Sequence, residues 1–145
     1  MKSGLKRLSK NLSNLDLVQV IGDTFEFYDK QITDLARVQL SEGKKGDGTQ
    51  FDFYKPATVK IKKERGTILM GERIALIDTG EFWSKLITDS FGGSLIIDNK
   101  DRGLLAELES RYGDKILSLT AESRSQLIQM MLPDIQSRVI IALTK

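Results

Sequence analysis

The sequence predicts an α+β fold with a long N-terminal helix, a small and mostly antiparallel sheet, short central helices and an amphipathic C-terminal helix. Three observations carry this prediction. Apolar residues recur three or four positions apart between residues 14 and 40, as on one helical face. A second such face follows Thr120. Short apolar runs between Gly-containing stretches separate the two and indicate strands.

The N-terminal pattern is the longest periodic signal in the chain. Gly22 interrupts it and costs about 1 kcal/mol relative to Ala in a helix interior, so a kink is expected there. The residues Ser41, Glu42 and Gly43 provide a stop signal. One long or broken helix is predicted, with its apolar face made by Leu17, Ile21, Phe25, Tyr28, Ile32 and Leu35.

The central third of the chain predicts short elements. Residues 74–77 form a strand or an extended approach to a short helix that begins near Gly80. Residues 88–90 are polar and predict a connection, and Gly92 and Gly93 predict a turn. Residues 95–97 predict a buried strand. A turn at 99–103 then leads to a helix over 104–112, which Gly113 ends.

The last helix is predicted from its start signal and its periodicity. Thr120 is a good N-cap, and Glu122 places a negative charge in the first turn. Pro133 is expected to kink or divide the helix. Its apolar face is formed by Leu127 or Ile128, followed by Met131, Ile135 and Val139.

Length and composition indicate one domain over residues 1–145, with a basic N-terminal segment at 1–12 and a flexible basic loop region at 43–66. Within that region, residues 57–65 form either a strand or an exposed helix. The chain has no Cys and no His, which excludes disulfides, Cys/His zinc sites, Cys nucleophiles and Ser-His-Asp triads. No catalytic residue, metal site or cofactor is predicted. The N-terminus lacks an apolar secretory region, and the aliphatic run 139–143 is too short to cross a bilayer, so a soluble protein is expected.

A basic cluster near the middle of the chain is a candidate for contact with DNA or an acidic neighbour, because cationic side chains release counterions from nucleic acid. The alternative interpretation is a solvated face. Aromatic residues nearby are candidates for stacking or for a partner surface. The candidates are Lys55, Lys60, Lys62, Lys63 and Arg65, together with Phe51 and Phe53.

The triplet Asp78, Thr79 and Gly80 has two incompatible interpretations. In the catalytic one, Asp78 is half of a homodimeric aspartic-protease dyad that shares one proton. Retroviral-type proteases have Ser or Ala after the triplet, whereas Glu81 follows here, and long amphipathic helices are foreign to their nearly all-strand fold. The structural interpretation, which we favour, makes Asp78 or Thr79 the cap of the short helix. Trp83, just inside that helix, is a core or interface anchor.

The order of elements resembles small bacteriophage tail-completion and head-to-tail joining proteins, also called virion morphogenesis proteins. The central match is residues 76–82, with looser likeness at 36–43 and at 117–120. That family has a Ser seven positions after the Asp, where this chain has Lys85, with Ser84 one place earlier.

The resemblance implies a non-enzymatic virion component assembled in the host cytoplasm. Its place would be a ring in the head-to-tail connector (neck) or the tail-completion complex. Its expected partners are copies of itself, portal, neck or tail-tube proteins and passing DNA, with no membrane. A small nucleic-acid-binding module is a third hypothesis, after the protease.

Overall fold

The structure, a computed structural model, describes residues 2–68, 72–77 and 80–145. Within these ranges it has seven helices and one antiparallel two-stranded sheet, which confirms the predicted α+β class. In chain order the elements are α1 (Lys2–Ser13), α2 (Leu17–Phe27), α3 (Asp29–Ser41), α4 (Pro56–Arg65), α5 (Glu81–Ser84), β1 (Leu86–Phe91), β2 (Ser94–Asn99), α6 (Arg102–Tyr112) and α7 (Ala121–Thr144).

The N-terminal helical pattern is divided among separate helices rather than kinked at one glycine. The Asp16 side chain caps α2 by accepting from the Gln19 N–H at 3.0 Å. Tyr28 then ends α2 and begins α3, with φ −96° and ψ 12°. Gly22 lies inside α2, where a Cβ would come within 3.2 Å of the Ser90 hydroxyl oxygen. Its missing side chain therefore allows the hairpin to approach, and the expected kink is replaced by the break at Tyr28.

The basic N-terminal segment forms α1, which packs against the end of α7. The Asn11 side-chain amide donates to the Leu143 carbonyl at 2.9 Å, and the Arg7 guanidinium lies 3.5 Å from the Thr144 carbonyl. A cation at the C-terminal end of a helix interacts favourably with its exposed carbonyls. No residue of α1 is buried.

Strands β1 and β2 form a hairpin that runs from the Leu86–Asn99 pair to the Phe91–Ser94 pair. Gly92 and Gly93 have φ 58° and 81°, and positive φ at both turn positions matches the right-handed twist of the strands. The predicted turn and the predicted strand at 95–97 are thus confirmed. The polar connection predicted at 88–90 is wrong, because these residues form the middle of β1.

Within the predicted loop region at 43–66, residues 57–65 were left open as a strand or an exposed helix, and the structure has helix α4 there, over Pro56–Arg65. Pro56 begins the helix, where its missing N–H costs nothing. Gly66 ends it in the left-handed conformation, with φ 69°. Residues 52–54 and 72–74 run side by side, joined by the Tyr54 N–H to the Glu72 carbonyl at 3.0 Å. The segment 74–77 forms no strand, and it bends at Leu76, whose φ is 54°.

The core surrounds α3. Asn99 is fully buried there, donating to the Phe82 carbonyl at 2.7 Å and accepting from the Asp101 N–H at 2.9 Å. Buried polar groups satisfied in this way join the hairpin to α5 and α6. The buried apolar cluster consists of Ile32, Ala36, Leu40, Phe51, Phe82, Leu86, Leu105, Ile116, Leu117, Leu119, Leu127 and Met131.

Both of the last two helices are capped by side chains, and of these caps Thr120 was predicted, whereas Asp101 was predicted only as part of a turn. Asp101 accepts from the Leu104 N–H at 3.0 Å, and Thr120 accepts from the Ser123 N–H at 3.2 Å. Helix α7 runs without interruption through Pro133, so this residue does not divide it. The sequence left open whether Leu127 or Ile128 faces the core, and Leu127 is the buried one.

Candidate functional site

The basic cluster does not form one exposed patch. Lys62 is only 8% exposed, donates to the Ile77 carbonyl at 2.5 Å and lies 5.0 Å from the centre of the Tyr54 ring. Lys63 forms a salt bridge with Glu72 at 2.5 Å. The assignment of Lys62 to a DNA-facing surface is therefore wrong, because its position on α4 turns it toward the segment 74–77.

The other cations of the cluster remain at the surface. Lys55, Lys60 and Arg65 are exposed on or beside α4. Lys60 lies two positions from Lys62 and therefore on a different side of α4, whereas Arg65, three positions on, lines the same cleft as Lys62. They supply positive charge to this edge of the molecule.

The aromatic candidates have different environments. Phe51 is 1% exposed and meets the Tyr112 ring edge-on at 5.5 Å, so it belongs to the core and not to an interface. Phe53 is exposed, with the Arg73 guanidinium 4.1 Å from its ring centre. Trp83 is half-buried against the core and donates to the Ala75 carbonyl at 3.0 Å. Trp83 therefore anchors α5 to the segment 74–77.

Of the Asp-Thr-Gly triplet, the structure describes Gly80. Asp78 and Thr79 lie outside the described residues. Gly80 has φ 80° and precedes α5, whose start near Gly80 was predicted. At the other end of α5, Lys85 forms salt bridges with Glu81 at 2.5 Å and Asp101 at 3.3 Å. The second contact ties the end of this short helix to the start of α6.

A cleft of about 550 Å³ opens between α4, the segment 74–77 and α6. Its size falls in the range of ligand and side-chain pockets. The charged residues in its described lining are Lys62, Arg65, Arg111 and Glu81, and Arg111 is in a salt bridge with Glu107 outside the lining. Burial raises the pKa of Tyr112, which also lines it. The apolar walls are Ile61, Ile74, Leu76, Phe82, Leu104 and Leu108.

A second cleft, of about 480 Å³, lies between α2 and the hairpin and is acidic. Its described lining includes neither Lys nor Arg. Asp29 accepts from the Thr88 N–H at 3.2 Å and from its hydroxyl, which ties α3 to β1. In the part of the chain that the structure describes, no group of three or more acidic side chains is arranged to hold a metal ion. The carboxylates are Asp16, Asp23, Glu26, Asp29 and Asp89.

Among the described residues, large apolar side chains are exposed at several places, two of which are the tip of the hairpin and the α1–α7 end, both missed by sequence reasoning. Phe91, at the tip of the hairpin, is 81% exposed. The sequence could have indicated this exposure, since Phe91 directly precedes Gly92 and Gly93 and a residue before a two-glycine turn lies at the tip of a hairpin. The second place is the α1–α7 end, where both helices expose aliphatic residues: Leu5, Leu8, Leu12, Ile140 and Ile141.

Comparisons with protein-family models, curated proteins and solved structures find no match to this chain. Among the described residues, no helix has the length and apolar character needed to span a membrane.

Proposed function

We propose that this chain is a non-enzymatic structural subunit of a bacteriophage virion. It would assemble as a ring with copies of itself in the head-to-tail connector (neck) or the tail-completion complex. Its work is done by contacts with neighbouring portal, neck or tail-tube proteins.

The observation that carries the proposal is the apolar surface at the α1–α7 end. Leu8 and Ile140 belong to the exposed aliphatic residues of two helices that meet there through Asn11 and Leu143. Contiguous apolar surface on a soluble chain marks a site of protein contact. A connector subunit needs such a surface toward the proteins above or below it.

The secondary structure supports this proposal over a homodimeric retroviral-type aspartic protease. The protease fold is nearly all strand. The described residues form seven helices and one two-stranded sheet. Such a mainly helical chain does not match the protease fold.

Contact with passing DNA is a secondary feature of the proposal. Lys55 and Lys60 are exposed at one edge, while Lys62 faces inward and Lys63 is paired with Glu72. Because few cations remain to contact phosphates, the expected DNA binding is weak and falls only gently as the salt concentration rises. A nucleic-acid-binding module would need a larger continuous basic surface.

Complementation of a phage that lacks this chain tests the proposal. We expect unjoined heads and tails in electron micrographs without the chain, and joined particles that contain it when the wild-type chain is supplied. The double variant Leu8→Gln, Ile140→Gln should fail to join them. Ile128→Gln, an exposed change elsewhere on α7, is the matched control. Joined, infectious particles that lack the chain would overturn the proposal.

A further inference from the structure

Helix α1 carries only positive charge. Its charged residues are four cations, with no Asp or Glu among residues 2–13. Lys2, Lys6 and Lys10 are exposed and lie four positions apart, so they form a row about 12 Å long on one side of the helix. In the part of the chain that the structure describes, none of the three is in a salt bridge. This lysine row is therefore available to an acidic partner.

The cleft between α2 and the hairpin, called the acidic cleft below, has the opposite charge. The five charged residues of its described lining are all carboxylates, and all five are exposed. Among residues 2–68, 72–77 and 80–145, none of the five is in a salt bridge. Asp16, Asp23 and Glu26 line about 15 Å of α2, which is close to the length of the lysine row.

A second copy of the chain fits both surfaces at once. Within one copy they do not meet, because α1 lies against the end of α7 through Asn11 and Leu143. A nucleic acid would pair with the lysine row but would be repelled by the acidic cleft, and a polycation would pair with the cleft alone. Another copy supplies the missing charge to each, over a matching length.

We propose that the lysine row of one copy docks along the acidic cleft of the next copy. Because the row and the cleft are different parts of the surface, the contact is head-to-tail, and it closes into a ring or continues as a filament. Opposite charge directs the approach, while like charge opposes row-to-row and cleft-to-cleft contacts. The inference rests on the proposed function, since it supplies the contact between subunits of the proposed ring. Leu5, Leu8 and Leu12 follow a different row of α1 and stay available to neighbouring proteins.

Charge reversal on each surface, and on both together, separates the two halves of the contact. Lys6→Glu with Lys10→Glu reverses the row, and Asp23→Lys with Glu26→Lys reverses the cleft. These four positions are exposed. A third variant carries all four changes and so exchanges the charges between the two surfaces. Thermal melts followed by circular dichroism establish that each variant is folded.

The matched control reverses the same number of charges elsewhere. Lys55→Glu with Lys60→Glu changes the net charge as the row reversal does, at exposed positions on or beside α4. We expect this variant to associate as wild type does. An effect of net charge alone would weaken it as much as the row reversal.

Sedimentation velocity over a concentration series at low salt provides the test. We expect wild type to associate, and reversal of either surface to lower the association constant about tenfold or more. The variant with exchanged charges should associate about tenfold more tightly than either reversed variant, because opposite charges again face each other. Added salt should weaken the association of wild type, since it screens exposed charges.

Four results would overturn the inference. These are a wild type that stays monomeric at its solubility limit, a reversed variant that associates as wild type does, a control that weakens as the row reversal does, and exchanged charges that restore nothing. The double variant Leu8→Gln, Ile140→Gln should leave self-association unchanged, and a loss there would place the contact at the α1–α7 end instead. Joined particles that contain the chain would still support the connector if this contact failed.

Discussion

Gly46 packs directly against Ser118, so that a Cβ at position 46 would lie 1.9 Å from the Ser118 hydroxyl oxygen and 2.2 Å from its carbonyl oxygen. The Gly46 N–H also donates to the Lys115 carbonyl at 2.7 Å. The loop after α3 is thereby held against the segment that precedes α7. A glycine in the predicted loop region thus makes a close contact between two segments that are far apart in sequence.

We predict that Gly46→Ala lowers the free energy of unfolding by about 1–3 kcal/mol, because the backbone of one segment must move away. Chemical denaturation measures the change. Gly103→Ala is the matched control, since a Cβ there meets only Asp101 Oδ1 at 3.7 Å. Equal stability of the two variants would contradict the close packing at Gly46.

The neighbours Leu127 and Ile128 on α7 provide a second test of packing. Leu127 is 4% exposed and Ile128 is 61% exposed. Leu127→Ala should cost about 2–5 kcal/mol through lost burial and a cavity, whereas Ile128→Ala should stay within about 0.5 kcal/mol. Urea midpoints with unchanged slopes would give both values. A larger loss for Ile128→Ala would mean that α7 packs with a different rotation.

Gln39 joins α3 to the start of α7. Its Nε2 donates to the Ser118 carbonyl and its Oε1 accepts from the Thr120 N–H, both at 2.8 Å. Gln39→Leu should cost about 2–4 kcal/mol, because it leaves two backbone groups without their partner in a largely buried place. Gln126→Leu, at an exposed position of α7, is the control. Thermal unfolding in which both variants melt alike would contradict this role.

The sequence predicted the parts of the fold that local chemistry determines. Thr120 combines a capping side chain with a following apolar pattern, and it caps α7 as predicted. Gly92 and Gly93 predicted their turn for a similar reason. By contrast, apolar spacing continues across Tyr28, so periodicity gave no sign that the chain changes direction there.

The candidate surfaces were less predictable because they depend on which side of an element faces the core. Lys62 and Phe51 were candidates on residue type, yet both are buried. Phe91 was missed because β1 was interpreted as a polar connection. The clefts form between segments far apart in sequence, and no local pattern indicates such a meeting.

Lys62 is buried whereas Lys60 is exposed, so charge reversal at the two positions should have different effects on stability. Lys62→Glu should lower the free energy of unfolding by about 3 kcal/mol or more, because a carboxylate would face the Ile77 carbonyl oxygen where an ammonium now donates. Lys60→Glu, on the exposed side of α4, should change it by less than about 0.5 kcal/mol. Denaturant titration of both variants measures this. Equal, small effects would return Lys62 to the exposed cluster.

Asp101 gives a prediction on pH. The Leu104 N–H, followed by the Lys85 side chain, lowers the pKa of this carboxyl below its ordinary value of 3.8. The unfolded chain therefore binds the proton more readily than the folded one. The resulting stabilisation is complete above the ordinary pKa and is lost as the pH falls through the lowered folded-state pKa.

Asp101→Asn should keep the helix cap, since Asn caps about as well as Asp, but should remove this titration. We expect its melting temperature to fall less steeply with acidification than that of wild type. Asp101→Ala removes the cap at every pH and should melt lower throughout. Calorimetry from neutral to strongly acidic pH makes the comparison. Parallel curves for wild type and Asp101→Asn would show that the Asp101 carboxylate adds no stability beyond its cap, because its charge would then be worth the same in the folded and unfolded chains.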